Sequence, residues 1–499
     1  MEAPIRTELT LPSDMRVLPI ARAYVRELTT LAELPSKEAQ DLVLAVDEAC
    51  TNVIEHAFDP GESGTFTVVG ELTPAALTLA ICDKGLPFDP SVAPTYTPPG
   101  EADAAAVSAR GLGLHLIHQT VDQVHWINHG REGKELRLVK NRPQADVTAY
   151  LPEAELTPFR DDQPLAPPQG YAIRRLRSEE AVWVARCIYR AYGHTYFNED
   201  LYYPERIARQ NETGELVSVV AVTQGDEVEL VGHCAAERPD LGRVAEIGQA
   251  VVVPAHRKRG LLERMTSFLE EEGRKLGLQG FFAEAVTSHT YSQRAIEGMG
   301  FHPCGVVLGA MPRSVSFKKI RSEPLSQRES CVLYFRHLVP PAPAAIYAPA
   351  HHRAILERIY AQLETPVEFL EPRTADDLGR VTVSFHRVLQ TGMIRVQRVG
   401  TDMPAEIRQM RRHLCEIAGA QMIYLELPLA QAGTPDLCRA VEADGFFFSG
   451  LGPCFAPDGD VLRLQYVNAP LDPVQIQVAN PFGQELLTYA TGEWDRIRP

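Results

Sequence analysis

From Leu34 to Phe58 apolar residues recur three and four positions apart, at Leu42, Ala45, Val46, Ala49, Val53 and Ile54. That spacing predicts one apolar stripe along a helix, with Ser36 as its N-cap. Thr65 to Val69 and Ala76 to Cys82 alternate or run apolar with β-branched residues and predict strands, as does Leu136 to Val139. A further helix is expected from His115 to Thr120, directly after Gly111 and Gly113. The first stretch is therefore read as α+β, with helices on one face of a sheet. Further along, Glu246 to Val253 and Gly280 to Val286 predict strands, Glu263 to Leu276 a helix, and His289 to Phe301 a helix ending in Gly300-Phe301. Toward the C-terminus, Val381 to Val399 and Met422 to Leu427 predict strands, and Ala405 to Gly419 and Leu437 to Asp444 helices.

Two proline-rich stretches interrupt these patterns. Pro143 to Gly170 is read as a semi-rigid linker, because proline fixes φ and removes a donor. Val339 to Pro349 is shorter and suits either a linker or a loop. The expected units are residues 1–142, a linker at 143–170, then 171–335 and 336–499. A chain of 499 residues is too long for one core, which agrees with several domains. Its net charge of -16 disfavours nonspecific attraction to nucleic acid or to an anionic membrane. No apolar run reaches a membrane span and the N-terminus carries no signal-peptide pattern. Nine cysteines without regular spacing are expected to be reduced, which points to the cytoplasm. No histidine spacing suits a metal, and His351-His352 are neighbours expected to point in different directions.

Three short motifs in the first block carry chemistry. Glu48 and Asn52 lie four apart on the predicted helix and so share a face. Asp83-Lys84-Gly85-Leu86-Pro87 follows an apolar strand, and Arg110-Gly111-Leu112-Gly113 precedes a helix. A carboxylate ending a buried strand can accept an exocyclic amine, with Gly85 letting a ring approach the backbone. Glycines at a helix N-terminus expose N–H groups to phosphate, and the Asn52 amide oxygen suits Mg²⁺. In this order the set resembles the N, G1 and G2 boxes of the GHKL ATPases, in the branch of the anti-sigma-factor serine kinases. The resemblance covers nearly all of the first block and implies a Bergerat α/β sandwich binding Mg-ATP. It puts Asn52 on the metal, Asp83 on adenine, and Gly85, Arg110, Gly111 and Gly113 around the nucleotide. It also implies Glu48 as general base on a serine of a protein partner of anti-anti-sigma or sigma type, and a homodimer. Pro87 departs from the family's second glycine, and His56 on the same face is read as a packing residue.

The middle block has a different signature. Val253-Pro254 closes a strand, and Arg257-Lys258-Arg259-Gly260-Leu261-Leu262 feeds a helix N-terminus, a cradle for an anion. With the following strand and the helix ending in Gly-Phe, the set resembles the GNAT acetyltransferases over roughly 171–320. That resemblance implies acetyl-CoA, its pyrophosphate on the N–H groups of Arg257 through Leu262, with Val253 and Ser292 also at the cofactor. Leu262 replaces the family's Gly or Ala, and Ile296 replaces the tyrosine that protonates the departing thiolate. Glu246, fourteen positions before Gly260, is the candidate base, with Glu284 a weaker one.

The last block repeats a helix, strand, helix, Gly-Phe order without a basic loop, and is expected to be a degenerate GNAT-like α/β domain whose Phe446-Phe447-Phe448 run is core. The whole reads as a bacterial-type cytoplasmic regulator: a serine/threonine protein kinase using ATP, an N-acetyltransferase acting on a protein or small amine, or both. The alternatives are a non-catalytic switch responding to both ligands, and an acetyltransferase regulated by its ATP module.

Overall fold

The computed structural model describes residues 5–58, 64–73, 75–85, 117, 120–129, 133–144, 146, 170–192, 196, 198–225, 228–238, 241–313, 325–375 and 377–498. The helix expected at His115 to Thr120 and the proline-rich stretch 143–170 lie mostly outside these residues.

In the first block β1 (Ile5–Pro12), β2 (Thr65–Leu72), β3 (Ala76–Asp83), β4 (Gln123–Asn128) and β5 (Lys134–Asn141) form an antiparallel sheet in the order β1-β2-β3-β5-β4. The alternation of β3 turns Leu77, Leu79, Ile81 and Asp83 to one face. There they meet α1 (Leu18–Leu31) and α2 (Ser36–His56), whose stripe of Leu42, Ala45, Val46, Ala49 and Val53 is buried against them. Ser36 does not cap α2: Pro35 holds the N-cap position and Ser36 is the first helical residue, with no side-chain cap bond.

The second block runs β6 (Gly170–Arg175), α3 (Ala181–Tyr192), α4 (Pro204–Thr213), β7 (Leu216–Gln224), β8 (Leu230–Glu237) and β9 (Val244–Val252). It continues through α5 (Leu261–Lys275), β10 (Gly280–Val286), α6 (Tyr291–Gly298), β11 (His302–Met311) and β12 (Glu329–His337). Strands β6 to β9 form an antiparallel meander. The α5 crossover then makes β10 parallel to β9, and β12 lies between β10 and β11. The parallel pairing stops at Phe282↔Glu246. Past it, β9 shifts register against β8 and Gln249 takes a φ of 54°. Such a bulge bends its strand, so a wedge opens between the second halves of β9 and β10.

The third block holds β13 (Ala344–Ile346), α7 (Arg353–Gln362), β14 (Val367–Phe369), β15 (Arg380–His386), β16 (Thr391–Arg398) and α8 (Met403–Arg412). After these come β17 (Met422–Pro428), α9 (Thr434–Glu442), β18 (Phe447–Ala456), β19 (Gly459–Val467) and α10 (Pro481–Ile497). The stretch 339–349 is neither linker nor plain loop, because β13 within it pairs in parallel with β14. The order β16-β17-β19-β18, parallel then antiparallel, repeats β9-β10-β12-β11. Phe446, Phe447 and Phe448 are fully buried core.

Two junctions join the blocks. β15 pairs antiparallel with β4, from Val381↔Asn128 to His386↔Gln123, which carries the first block's sheet into the third. β11 and β18 cross at Gly305↔Gly450, so that the second and third blocks share one hydrophobic core while the first keeps its own. At this crossing a Cβ on Gly450 (φ 151°) would stand 2.5 Å from the Cα of Gly305 and 2.7 Å from the carbonyl oxygen of Cys304. Only backbone lies there, and backbone cannot turn aside. Gly450→Val is expected to destabilise the protein by roughly 3 kcal/mol, read as a lowered urea midpoint; an unchanged midpoint would show that the two halves can part without cost.

Candidate functional site

A cavity of about 320 Å³ opens beside Asp83. Its floor is the sheet, and strand register sets two rows of side chains upon it. One row is Asp83, Lys134, Asn128 and Val381; the other is Ile81, Leu136, Trp126 and Val383. Ala49, Asn52, Val53 and His56 of α2 form one wall, and Glu406 and Met410 of α8 stand in another. Asn52 and Asp83, far apart in sequence, therefore face one space. Glu48 lies one turn before Asn52 on α2 and is half-buried. His56 is not a packing residue: it is exposed and lines the cavity. Arg110, Gly111 and Gly113 fall outside the described residues.

The electrostatics of this space follow from burial. Asp83 is 6% exposed, accepts the Gly85 N–H at 2.9 Å and faces Lys134 Nζ at 3.4 Å. Burial still pushes its carboxyl above the ordinary range, against the pull of Lys134 and the Gly85 N–H. Burial likewise pushes the Lys134 ammonium down and the Glu406 carboxyl up, although Asn128 Nδ2 donates to Glu406 at 3.2 Å. Glu48 is raised by burial and by the neighbouring charges of Asp47 and Glu55. Lys134, Asn128, Glu406 and Met410 belong to no motif. Strand register alone brings Lys134 to Asp83, and Glu406 reaches Asn128 across 278 positions of sequence. Gly85 serves a purpose not foreseen, since a Cβ there would lie 2.0 Å from the carbonyl oxygen of Ala57 at the end of α2. The glycine admits a helix, whatever else approaches it.

A second site surrounds the β9/β10 wedge. Arg257, Lys258, Arg259 and Gly260 form an exposed turn leading to α5, with left-handed φ values of 60° at Lys258 and 67° at Gly260. Leu261 is buried and Leu262 half-buried in the first turn of α5. Val253 is buried, its N–H donating to the Val231 carbonyl. Ser292, in the first turn of α6, has a buried Oγ with no partner among the described residues. Glu246 stands at the apex of the wedge, where the parallel pairing ends. Burial, then Glu237 and Glu284, push its carboxyl well up. Glu284 is engaged: Arg463 of β19 donates to it at 2.9 Å and the Tyr424 hydroxyl of β17 at 3.4 Å. Ile296 is half-buried on α6.

His351 and His352 do not diverge as neighbours on a helix would. Their rings sit 5.0 Å apart, His351 on Glu493 and fully buried His352 on Glu442, each at 2.8 Å. Both carboxylates are also bound by Arg496, at 2.6 and 2.8 Å, so a guanidinium already supplies the cation. All nine cysteines are unpaired. Among the described residues no helix is long and apolar enough to cross a membrane.

The chain resembles known proteins in two separate regions. Residues 11–140 match the model of the histidine kinase-like ATPase domain, and residues 181–301 that of the acetyltransferase (GNAT) family. Serine-protein kinase RsbW of Listeria innocua is 31% identical over 118 residues, covering 23% of this chain and 75% of that protein. RsbW of Bacillus subtilis is 29% identical over 127 residues, covering 24% and 78%. Among solved structures, the ribosomal-protein-S18-alanine N-acetyltransferase from Escherichia coli is 15% identical with a TM-score of 0.27, covering 35% of this chain and 97% of that one. An aminoglycoside 6'-N-acetyltransferase complexed with coenzyme A is 14% identical with a TM-score of 0.26, covering 34% and 99%. The relation of the second block to acetyltransferases rests on the family model.

The Gly85 contact is open to test without any ligand. Gly85→Ala is expected to push the strand end from the terminus of α2 and cost roughly 2 kcal/mol of stability, measured by thermal or urea unfolding.

Proposed function

We propose that this chain, which belongs to the RsbW-type serine-protein kinases through its first block and carries a GNAT acetyltransferase domain in its second, binds Mg-ATP beside Asp83 and acetyl-CoA in the β9/β10 wedge. Both blocks are of transferase families, so the chain is an enzyme of that class. The observation that carries the ATP assignment is the cavity that gathers Asn52 of one motif with Asp83 and Gly85 of another.

In the first block Asp83 would accept the adenine amine, and the Asn52 amide oxygen on the cavity wall would hold Mg²⁺. Its donor type fits that hard cation, which would neutralise phosphate charge. A serine hydroxyl of a protein partner of anti-anti-sigma type attacks the γ-phosphorus. The bond from phosphorus to the β,γ-bridging oxygen breaks, ADP leaves with that electron pair, and Glu48 takes the hydroxyl proton. In the second block the N–H groups from Arg257 to Leu262, opening α5, suit a pyrophosphate. Glu246 would take the proton of an attacking amine. Its raised pKa suits a base, whereas Glu284 is tied to Arg463. Ile296 supplies no hydroxyl for the departing thiolate, so acetyl transfer is expected to be slow relative to enzymes with a tyrosine there. The third block is read as a GNAT-like half that has kept the strand order and lost the cofactor loop.

Glu48→Ala should leave ATP affinity unchanged by calorimetry and lower γ-phosphate transfer to a partner co-purified with ATP by about 10²–10⁴-fold. Because Glu48 must be ionised to act and its pKa is raised, wild-type transfer should fall on acidification at a pH above the ordinary carboxylate value of 4.5. Loss of ATP affinity in the variant would mean that Glu48 binds rather than catalyses. In the second block, acetyl-CoA should bind the wild type by calorimetry, and replacing Arg257 and Arg259 with alanine should weaken it at least tenfold. Failure of the wild type to bind would end the acetyl-CoA assignment.

A further inference from the structure

The nucleotide cavity is not a property of the first block alone. Two of its eight floor residues, Val381 and Val383, come from β15, and Glu406 and Met410 come from α8. Asp83 and Val381 stand three strand spacings apart, roughly 14 Å, a floor long enough for a purine nucleoside. The arrangement is built, not grazed. Six residues of β15 pair in register with β4. Glu406, Met410 and His413 recur at four- and three-residue steps on the face of α8 and the turn that follows it. Glu406 accepts from Asn128 at 3.2 Å, Met410 lines the cavity, and the His413 ring meets Trp126 edge-on at 4.5 Å. That face of α8 is committed to the nucleotide side. Without the third block, β4 would be an open sheet edge and the cavity would lose a wall.

We infer that the nucleotide site is composite: α8 and β15 of the third block form the wall against which the base of ATP packs. This rests on the reading of the first block as an ATP site. Asp83 takes the exocyclic amine at one end. Met410 offers a polarisable thioether to the ring, and the Glu406–Asn128 pair presents an acceptor to a further N–H or O–H of the nucleoside. A ligand that touches both blocks must favour their docking to the same degree that docking favours the ligand. ATP therefore clamps the third block onto the first, and the third block's position is sensitive to occupancy of a site that it builds only in part.

The test uses the full chain and ATP with Mg²⁺. Calorimetry should show wild-type binding, loss of binding in Asp83→Asn, at least tenfold weakening in Met410→Trp, where the indole fills the cavity, and a several-fold weakening in Glu406→Gln. Val474→Ser, at an exposed position remote in sequence from these residues, should match the wild type. Saturating ATP should also slow amide hydrogen exchange of residues 380–386 and 403–412 in the wild type, a readout that needs no variant to fold. An unchanged Kd in folded Met410→Trp, or unaltered exchange in those two segments, overturns the composite site while leaving the ATP reading intact. If the wild type does not bind ATP, the first-block reading fails and takes this proposal with it.

Discussion

The antiparallel ladder between β4 and β15 is the constraint on which the rest of the molecule depends. It joins strands from two blocks through backbone hydrogen bonds, and so fixes which side chains meet. Strand side chains alternate, and a slip of one residue would exchange Val381 and Val383 for Thr382 and Ser384 on the cavity floor. The same slip would turn Phe385 out of the core. Trp126, packed against both hydrophobic cores, holds the register from the other side. The ladder also removes an edge that a free first block would expose to other chains.

At the opposite junction the constraint is electrostatic. Arg463 is 4% exposed and Glu426 3% exposed, a burial that costs several kcal/mol per ion before pairing. Each finds partners at 2.9 Å: Arg395 and Arg463 hold Glu426, and Arg463 also holds Glu284 of the second block. Burial alone would raise the Glu426 carboxyl, yet the two guanidiniums bring it below the ordinary value. A chain of charges thus runs from β16 through β17 and β19 to β10, beside the apex where Glu246 stands. Burial first, then the charges of Glu237 and Glu284, raise the Glu246 carboxyl, and the nearby Arg463 offsets them only in part. One cluster thus holds a carboxylate drawn down by two guanidiniums and another pushed up by its burial.

Legibility from sequence followed the range of the interactions. Contacts within one element or one turn were readable: the stripe of α2, the Asn52 face, Asp83 at a strand end and the turn before α5. Gly280 to Val286 was delimited to the residue, because a short apolar run between turn residues leaves no freedom. β1 and α1 were not foreseen. The outer strand is mostly exposed or half-exposed, so its alternation is weak. Nothing local marks Lys134 as the partner of Asp83, Gly85 as the seat of a helix end, or Gly305 and Gly450 as a crossing. Those facts exist only once distant strands are in register, and short motifs carry no record of that.

The third block clarifies why such distant facts matter. It has no basic loop of its own, and nothing in its sequence marks a ligand. Yet β15 and α8 reach the cavity beside Asp83, while Arg463 and Tyr424 reach Glu284 beside the wedge. The path between them is short and stiff: β15 pairs with β16, β16 with β17, and β17 with β19. A displacement at one end cannot be absorbed by a loop, because sheet pairing and close-packed cores resist deformation. Two enzyme modules that would otherwise be tethered only by the chain through 143–170 are thereby attached to one sheet. The block without a basic loop is the one that gives the other two a common frame.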